Sequence, residues 1–158
     1  MAIPTIRAAN VADGPAVARV FGAARARMTY LPVLHTPQED RAFFTQQLAS
    51  LGGLLAEHEG SVVAFAIHGR GWLHHLYVDP GFQGRGIGAA LLARVVAALP
   101  DGFDLWTFQA NAGARRFYDR HGLTCVELTD GAANEERVPD ARYRWRPPAQ
   151  GGWPSTRS

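Results

Sequence analysis

This chain contains no lysine; its 16 basic residues are all arginine. That excludes a Walker-type phosphate loop, which needs a lysine on the phosphates in G-x-x-x-x-G-K-[ST]. There is a single cysteine, Cys125, so no internal disulfide can form, and its strand-like setting (residues 123–128) predicts an inert buried thiol. No Cys/His set with ligand spacing exists, so no zinc site is expected. No apolar run is long enough to span a membrane and no signal-peptide layout is present, which together predict a cytoplasmic protein with no membrane partner. Charge of one sign is also scarce. The formal net charge is +2 and the arginines are dispersed, so the basic stripe of a nucleic-acid binder is missing.

At 158 residues, 47% hydrophobic and 19% charged, the chain has the composition of one globular domain. Residues 1–146 read as that domain, and the proline-, glycine- and serine-rich residues 147–158 as a loose tail. Such a domain is compatible with a homodimer. Short elements alternate along it. Strands are predicted at 3–7, 54–58, 61–68, 72–78, 103–108, 123–128 and 141–145, with Glu59-Gly60 as a hairpin turn. Helices are predicted at 13–27, 36–51, 86–99 and 111–122. Thr36-Pro37-Gln38-Glu39 is a capping box with proline at the first helical position.

The most informative stretch is LYVDPGFQGRGIGAA, residues 76–90. A β-rich run is broken by Asp79-Pro80 and followed by glycines at 84, 86 and 88 at the start of an apolar helix. Glycine lets backbone approach a ligand without a Cβ in the way. The first N–H groups of a helix have no internal partner and sit at its positive dipole end, so this loop is suited to a phosphate or pyrophosphate. Gly84, Gly86 and Ala89 also fit the dinucleotide pattern G-x-G-x-x-G/A, with Asp104 about 20 residues further on. In that unit, however, the glycine turn follows its strand directly, whereas here five residues with a proline separate Val78 from Gly84.

A second segment, NAGARRFYDRHG at residues 111–122, follows the strand at 103–108. Offsets of three, four and seven share a helix face, so Asn111, Ala114 and Tyr118 line one side with Arg115 nearby, while Arg116 and Arg120 point elsewhere. Gly122 is the expected stop. Taken alone, the segment is an ordinary amphipathic helix with a packed tyrosine.

Together, Gln83-Gly84-Arg85-Gly86-Ile87-Gly88 (Q-x-x-G-x-G) behind an L-x-V-x-P strand end, and N-x-x-A-x-x-[FY]-Y-x-x-x-G at residues 111–122, resemble the GNAT superfamily of acetyl-CoA-dependent N-acetyltransferases. The resemblance runs from Ile6-Arg7 through Trp145. It implies an α/β (α+β) fold with a mixed central sheet flanked by about four helices. Its fourth and fifth strands splay apart, and acetyl-CoA enters the gap as cosubstrate. By that resemblance the cofactor is held by Leu76, Tyr77, Val78, Gln83, Gly84, Arg85, Gly86, Ile87, Gly88, Ala89, Asn111, Ala114, Arg115 and Tyr118. Tyr118 is also the expected general acid toward the departing thiolate.

A protonated alkylamine with pKa near 10 needs a proton acceptor at neutral pH. His74 and His75 are the candidates, because histidine titrates in the useful range. Strand alternation puts His74 on the side of Leu76 and Val78, the position where several family members carry histidine or glutamate. A bulge would break that alternation and turn His75 inward instead. The resemblance places the acceptor near residues 28–35 and 129–145, making Tyr30, His35 and Trp106 candidate substrate contacts. Two readings stay open. One is an active N-acetyltransferase acting on a primary amine, small or peptide-borne; the other is a non-catalytic acyl-CoA-binding sensor or interaction module. A nicotinamide-binding protein is a distant third.

Overall fold

The computed structural model describes residues 4–149. Seven strands form one sheet in the order β1-β2-β3-β4-β5-β7-β6. They are β1 (Thr5–Ala8), β2 (Gly52–His58), β3 (Ser61–Gly69), β4 (Trp72–Val78), β5 (Phe103–Phe108), β6 (Thr124–Leu128) and β7 (Asp140–Trp145). Four helices flank it: α1 (Gly14–Arg25), α2 (Pro37–Ser50), α3 (Ile87–Ala98) and α4 (Ala112–Arg120). Every neighbouring pair is antiparallel except β4 with β5, which is parallel. The element order is the one expected. Of the predicted tail, residues 147–149 carry no regular structure and the remainder lies outside the described residues, as does Ile3 of the predicted first strand.

Local chemistry explains most element boundaries. Thr36 caps α2 through its Oγ1, which accepts from the Glu39 N–H at 3.1 Å, while the Glu39 carboxylate accepts from the Thr36 N–H at 2.8 Å. The hairpin between β2 and β3 turns at Glu59 and Gly60, both at positive φ (51° and 82°), which suits the twist of the flanking strands.

β3 is covered on both faces and is buried from Val62 to Ile67. Its Phe65 and Ile67 pack with Val17, Val20, Phe44 and Leu48 under α1 and α2. Ala64 and Ala66 face the other way, toward Ile87, Leu91, Leu92 and Val95 of α3. Small residues on that face let α3 approach the sheet closely. Gly14 serves the same end at the α1–α2 contact, where a Cβ would lie 2.0 Å from Thr45 Oγ1. Phe44 is fully buried at this junction, and its truncation to alanine is expected to cost about 3–5 kcal/mol.

Two departures from the expected pattern matter. Cys125 is half-buried rather than buried, its Sγ 3.8 Å from the Glu127 carbonyl beside a bulge in β6. More important, β4 carries a bulge: Ile67 faces His75 and His68 faces Leu73, leaving His74 with no partner in β3. The inserted residue resets the alternation, so Leu73 and Leu76 both reach the cluster under α3 and α4.

Candidate active site

β4 and β5 pair only where Trp72 meets Asp104, with the Asp104 N–H donating to the Gly71 carbonyl at 3.0 Å. Beyond that point the strands part, and a groove of about 450 Å³ opens between them. The splay read from the resemblance is therefore present. It is braced on one side by charge: the Asp104 carboxylate accepts from Arg142 (2.5 Å) and Arg144 (2.9 Å) on β7, which hold it below the usual carboxylate range.

The glycine loop forms one end of the groove. Asp79 Oδ1 accepts from the Gly81 N–H at 2.9 Å, and Gln83 Nε2 donates to the Val78 carbonyl at 3.2 Å, folding the loop back on the strand end. Gly84 and Gly86 have φ of 78° and 80°. Gly86 is the N-cap of α3, which has no side-chain cap and no acidic residue in its first turn. The positive end of the helix thus faces the groove without a side-chain acceptor of its own. A Cβ built at Gly84 or Gly86 meets no atom within 4 Å, so these positions border open space.

Most of the predicted residues come together here. His74, His75, Leu76, Tyr77, Val78, Gln83, Gly84, Gly86, Ile87, Gly88, Ala89, Trp106, Asn111, Ala114 and Tyr118 all line the groove. Asn111 caps α4, its Oδ1 accepting from the Ala114 N–H at 3.0 Å. Tyr118 is buried against Tyr143 and Phe117, with ring centroids 5.7 and 5.3 Å away. Burial, reinforced by the neighbouring Tyr77, pushes its phenol well above the usual value and keeps it protonated.

Four predicted contacts fall elsewhere. The Arg115 Nε donates to the Tyr143 hydroxyl at 3.0 Å, on the β7 side of α4, while Arg120, expected to point away, lines the groove beside Phe117. Arg120 and His121 both pack on the Phe117 ring, at 5.9 and 4.6 Å, which brings them to the groove wall. The Arg85 guanidinium donates to the Gly81 carbonyl at 3.3 Å and lies over the Phe82 ring at 4.9 Å. Tyr30 packs against Phe108, centroids 6.2 Å apart, and its buried hydroxyl has no hydrogen-bond partner among the described residues. His35 lies in a second cavity, where it meets Glu135 at 2.5 Å. Trp106 does line the groove, 44% exposed under Arg142.

The bulge separates the two histidines. His74 is exposed, and its Nε2 lies 3.1 Å from the Gly69 carbonyl. A carbonyl only accepts, so Nε2 carries the proton and Nδ1 of the neutral ring keeps its lone pair. His75 instead points toward α1 and α2 with Tyr77, within 6.5 Å of Phe21, Phe43, Phe44 and Phe65. Burial pushes its pKa down to about 3. His74 lines the groove together with Leu76 and Val78, and the bulge brings Leu73 to that wall as well.

The groove lining also takes in Met28 from the expected acceptor segment, Phe117 from the 111–122 motif and Phe108, which sequence reasoning did not single out. A second cavity of about 470 Å³ lies between α1, the following loop and α2; residues 31–35, Glu135 and Glu136 in its wall belong to the two segments expected near the acceptor, and His75 shares its wall with the groove. The outline of the cavity has no local motif, since it arises from packing between distant segments. Among the described residues, no group of three or more His, Cys, Asp or Glu side chains is placed to hold a metal, and no helix is long and apolar enough to cross a membrane.

The model of the acetyltransferase (GNAT) family matches residues 22–123. The chain belongs to this family. It is 40% identical over 63 residues to an N-acetyltransferase of Methanocaldococcus jannaschii, covering 37% of this chain and 28% of that protein. It is 37% identical over 79 residues to one of Mycobacterium tuberculosis, covering 44% of this chain and 51% of the other. Both relatives are described as uncharacterised, and the similarity spans about half of their length or less. The Salmonella typhimurium protein yncA, solved with acetyl-CoA, superposes with a TM-score of 0.72 at 21% identity, covering 92% of this GNAT chain and 94% of yncA. At that identity the likeness speaks for the fold.

Proposed function

We propose that this chain transfers an acetyl group from acetyl-CoA directly to a primary amine. The observation that carries the reading is that the uncapped start of α3, behind Gly84 and Gly86, opens on the same groove as Tyr118.

The residues fit the cosubstrate. The N–H groups at the start of α3 and the glycine loop suit a pyrophosphate. The groove between β4 and β5 suits an extended pantetheine arm, because beyond Trp72 the β5-facing edge of β4 has no strand partner to take its hydrogen bonds. When bound, acetyl-CoA supplies an activated acyl carbonyl and a thiol leaving group.

The chain's own groups would do the rest. N–H groups on the open edge of β4 donate toward the carbonyl oxygen as charge develops on it; such preoriented donors are each worth roughly 3–4 kcal/mol. Tyr118 donates its proton to the sulfur as the C–S bond breaks. The amine lone pair forms the N–C bond, the amine's surplus proton leaves through the Nδ1 of His74, whose exposed ring passes it to water, and a proton from solvent restores the Tyr118 phenol, so that the proton lost by nitrogen balances the one gained by sulfur. His75, held neutral with a pKa of about 3, is too weak a base for that work and instead walls the site.

Release of free CoA from acetyl-CoA in the presence of a mixed amine panel tests the proposal. Thiol release that depends on an amine supports transfer. Tight acetyl-CoA binding with no release under any amine would reduce the chain to an acyl-CoA sensor.

A further inference from the structure

The second cavity has a chemistry of its own. Its walls are largely apolar, built by Phe21, Leu31, Pro32 and Phe43. Its volume of about 470 Å³ lies in the roughly 300–1,000 Å³ range of small-molecule sites. His75 joins it to the groove: the imidazole is 5.8 Å from Phe43 on the cavity side and 6.3 Å from Tyr77 on the groove side.

Its charges are one-sided. Four carboxylates line it, those of Glu39, Asp40, Glu135 and Glu136, against the single guanidinium of Arg25 and the imidazole of His35. Arg25 is already engaged, 3.0 Å from Glu136 and stacked at 4.9 Å over Phe21 and 5.6 Å over Phe108. His35 is likewise engaged by Glu135. An incoming carboxylate therefore meets surplus negative charge and a guanidinium already paired through one nitrogen with Glu136, its buried Nε having no partner among the described residues, whereas an ammonium arriving with an apolar body is attracted by the charge and desolvated by the walls.

We infer that the acceptor is a small amine on an apolar, aryl-alkyl body with no carboxylate beside the amine, seated between α1 and α2 with its nitrogen directed past His75 to the groove. This rests on the acetyl-transfer reading above. Phe43 and the Arg25–Glu136 pair are its specificity-determining residues: Phe43 by stacking on the body, Glu136 by occupying the guanidinium that would otherwise receive a carboxylate.

The test compares kcat/KM for CoA release with phenethylamine, phenylalanine, putrescine and an alanine-initiated tripeptide, in the wild type and in two variants. Phenethylamine is expected to exceed each of the others by at least tenfold. Phe43→Ala should raise the phenethylamine KM about tenfold with the KM for acetyl-CoA unchanged. Glu136→Gln, which frees Arg25, should narrow the phenethylamine-to-phenylalanine ratio at least fivefold, an effect that mere loss of stability would not produce. Equal or better turnover of phenylalanine, putrescine or the peptide by the wild type overturns the inference, as does an unchanged ratio in Glu136→Gln. Thermal shift with acetyl-CoA alone separates the two levels. With no shift the acetyl-transfer reading falls as well; with a shift and turnover of another amine class, only the acceptor assignment falls.

Discussion

Trp72 and Asp104 form the sole parallel pairing between β4 and β5, and Asp104 is at the same time clamped by Arg142 and Arg144 of β7. The residue at which the sheet parts is thus tied by its backbone to β4 and by its side chain to β7. The groove begins at a fixed point.

The glycine loop gives the first prediction. Gly86 has a left-handed backbone, which asparagine tolerates better than other residues with a Cβ. Gly86→Asn should fold with a similar melting temperature but place a side chain in the open space before α3. Acetyl-CoA should raise the melting temperature of the wild type by linkage, and the variant should need at least ten times more ligand for the same shift. An equal shift at equal concentration would show that the loop does not hold the pyrophosphate.

Tyr118 is expected to act on turnover more than on binding, because a proton delivered to the leaving sulfur matters most in the transition state. Tyr118→Phe should lower kcat by about 10²-fold, with acetyl-CoA affinity within a few-fold of the wild type. Steady-state kinetics with a saturating amine, beside a binding titration, measures both; an unaltered kcat would mean that the sulfur leaves unaided.

The free Nδ1 of His74 makes a pH profile the informative measurement. His74→Ala should reduce kcat/KM near neutral pH, and the loss should shrink as pH rises and more of the amine is already neutral. If His74→Ala leaves the acidic limb untouched, the proton leaves by another route.

His75 predicts acid sensitivity of the fold. Its pKa is about 3 in the folded state against about 6.5 when unfolded, so between these values the unfolded chain binds more protons. The associated stability is present above about pH 6.5 and is lost as pH falls toward 3, amounting to a few kcal/mol over the interval. Denaturant midpoints of His75→Leu should vary less with pH between 6.5 and 4 than those of the wild type. Parallel curves would show that other groups carry the acid response.

What the sequence determined alone was everything governed by neighbours along the chain. The capping box at Thr36 and Glu39, the Glu59-Gly60 turn and the glycine loop at 84–88 each need only a few consecutive residues with fixed backbone chemistry, and all stand as expected, while Asn111, expected within its helix, caps it. Tertiary structure decided what depends on segments far apart. The bulge at His74 exists because β4 must register with β3 while Leu73 and Leu76 both reach the core beneath α3 and α4. Residues 72–78 do not by themselves say whether such an extra residue is present, because that depends on the register with β3. The redirection of Arg115 to Tyr143, the burial of His75 among four phenylalanines and the cavity between α1 and α2 likewise arise where helices meet a sheet. Packing density and desolvation are properties of that assembled interior, and they are what holds the His75 imidazole neutral.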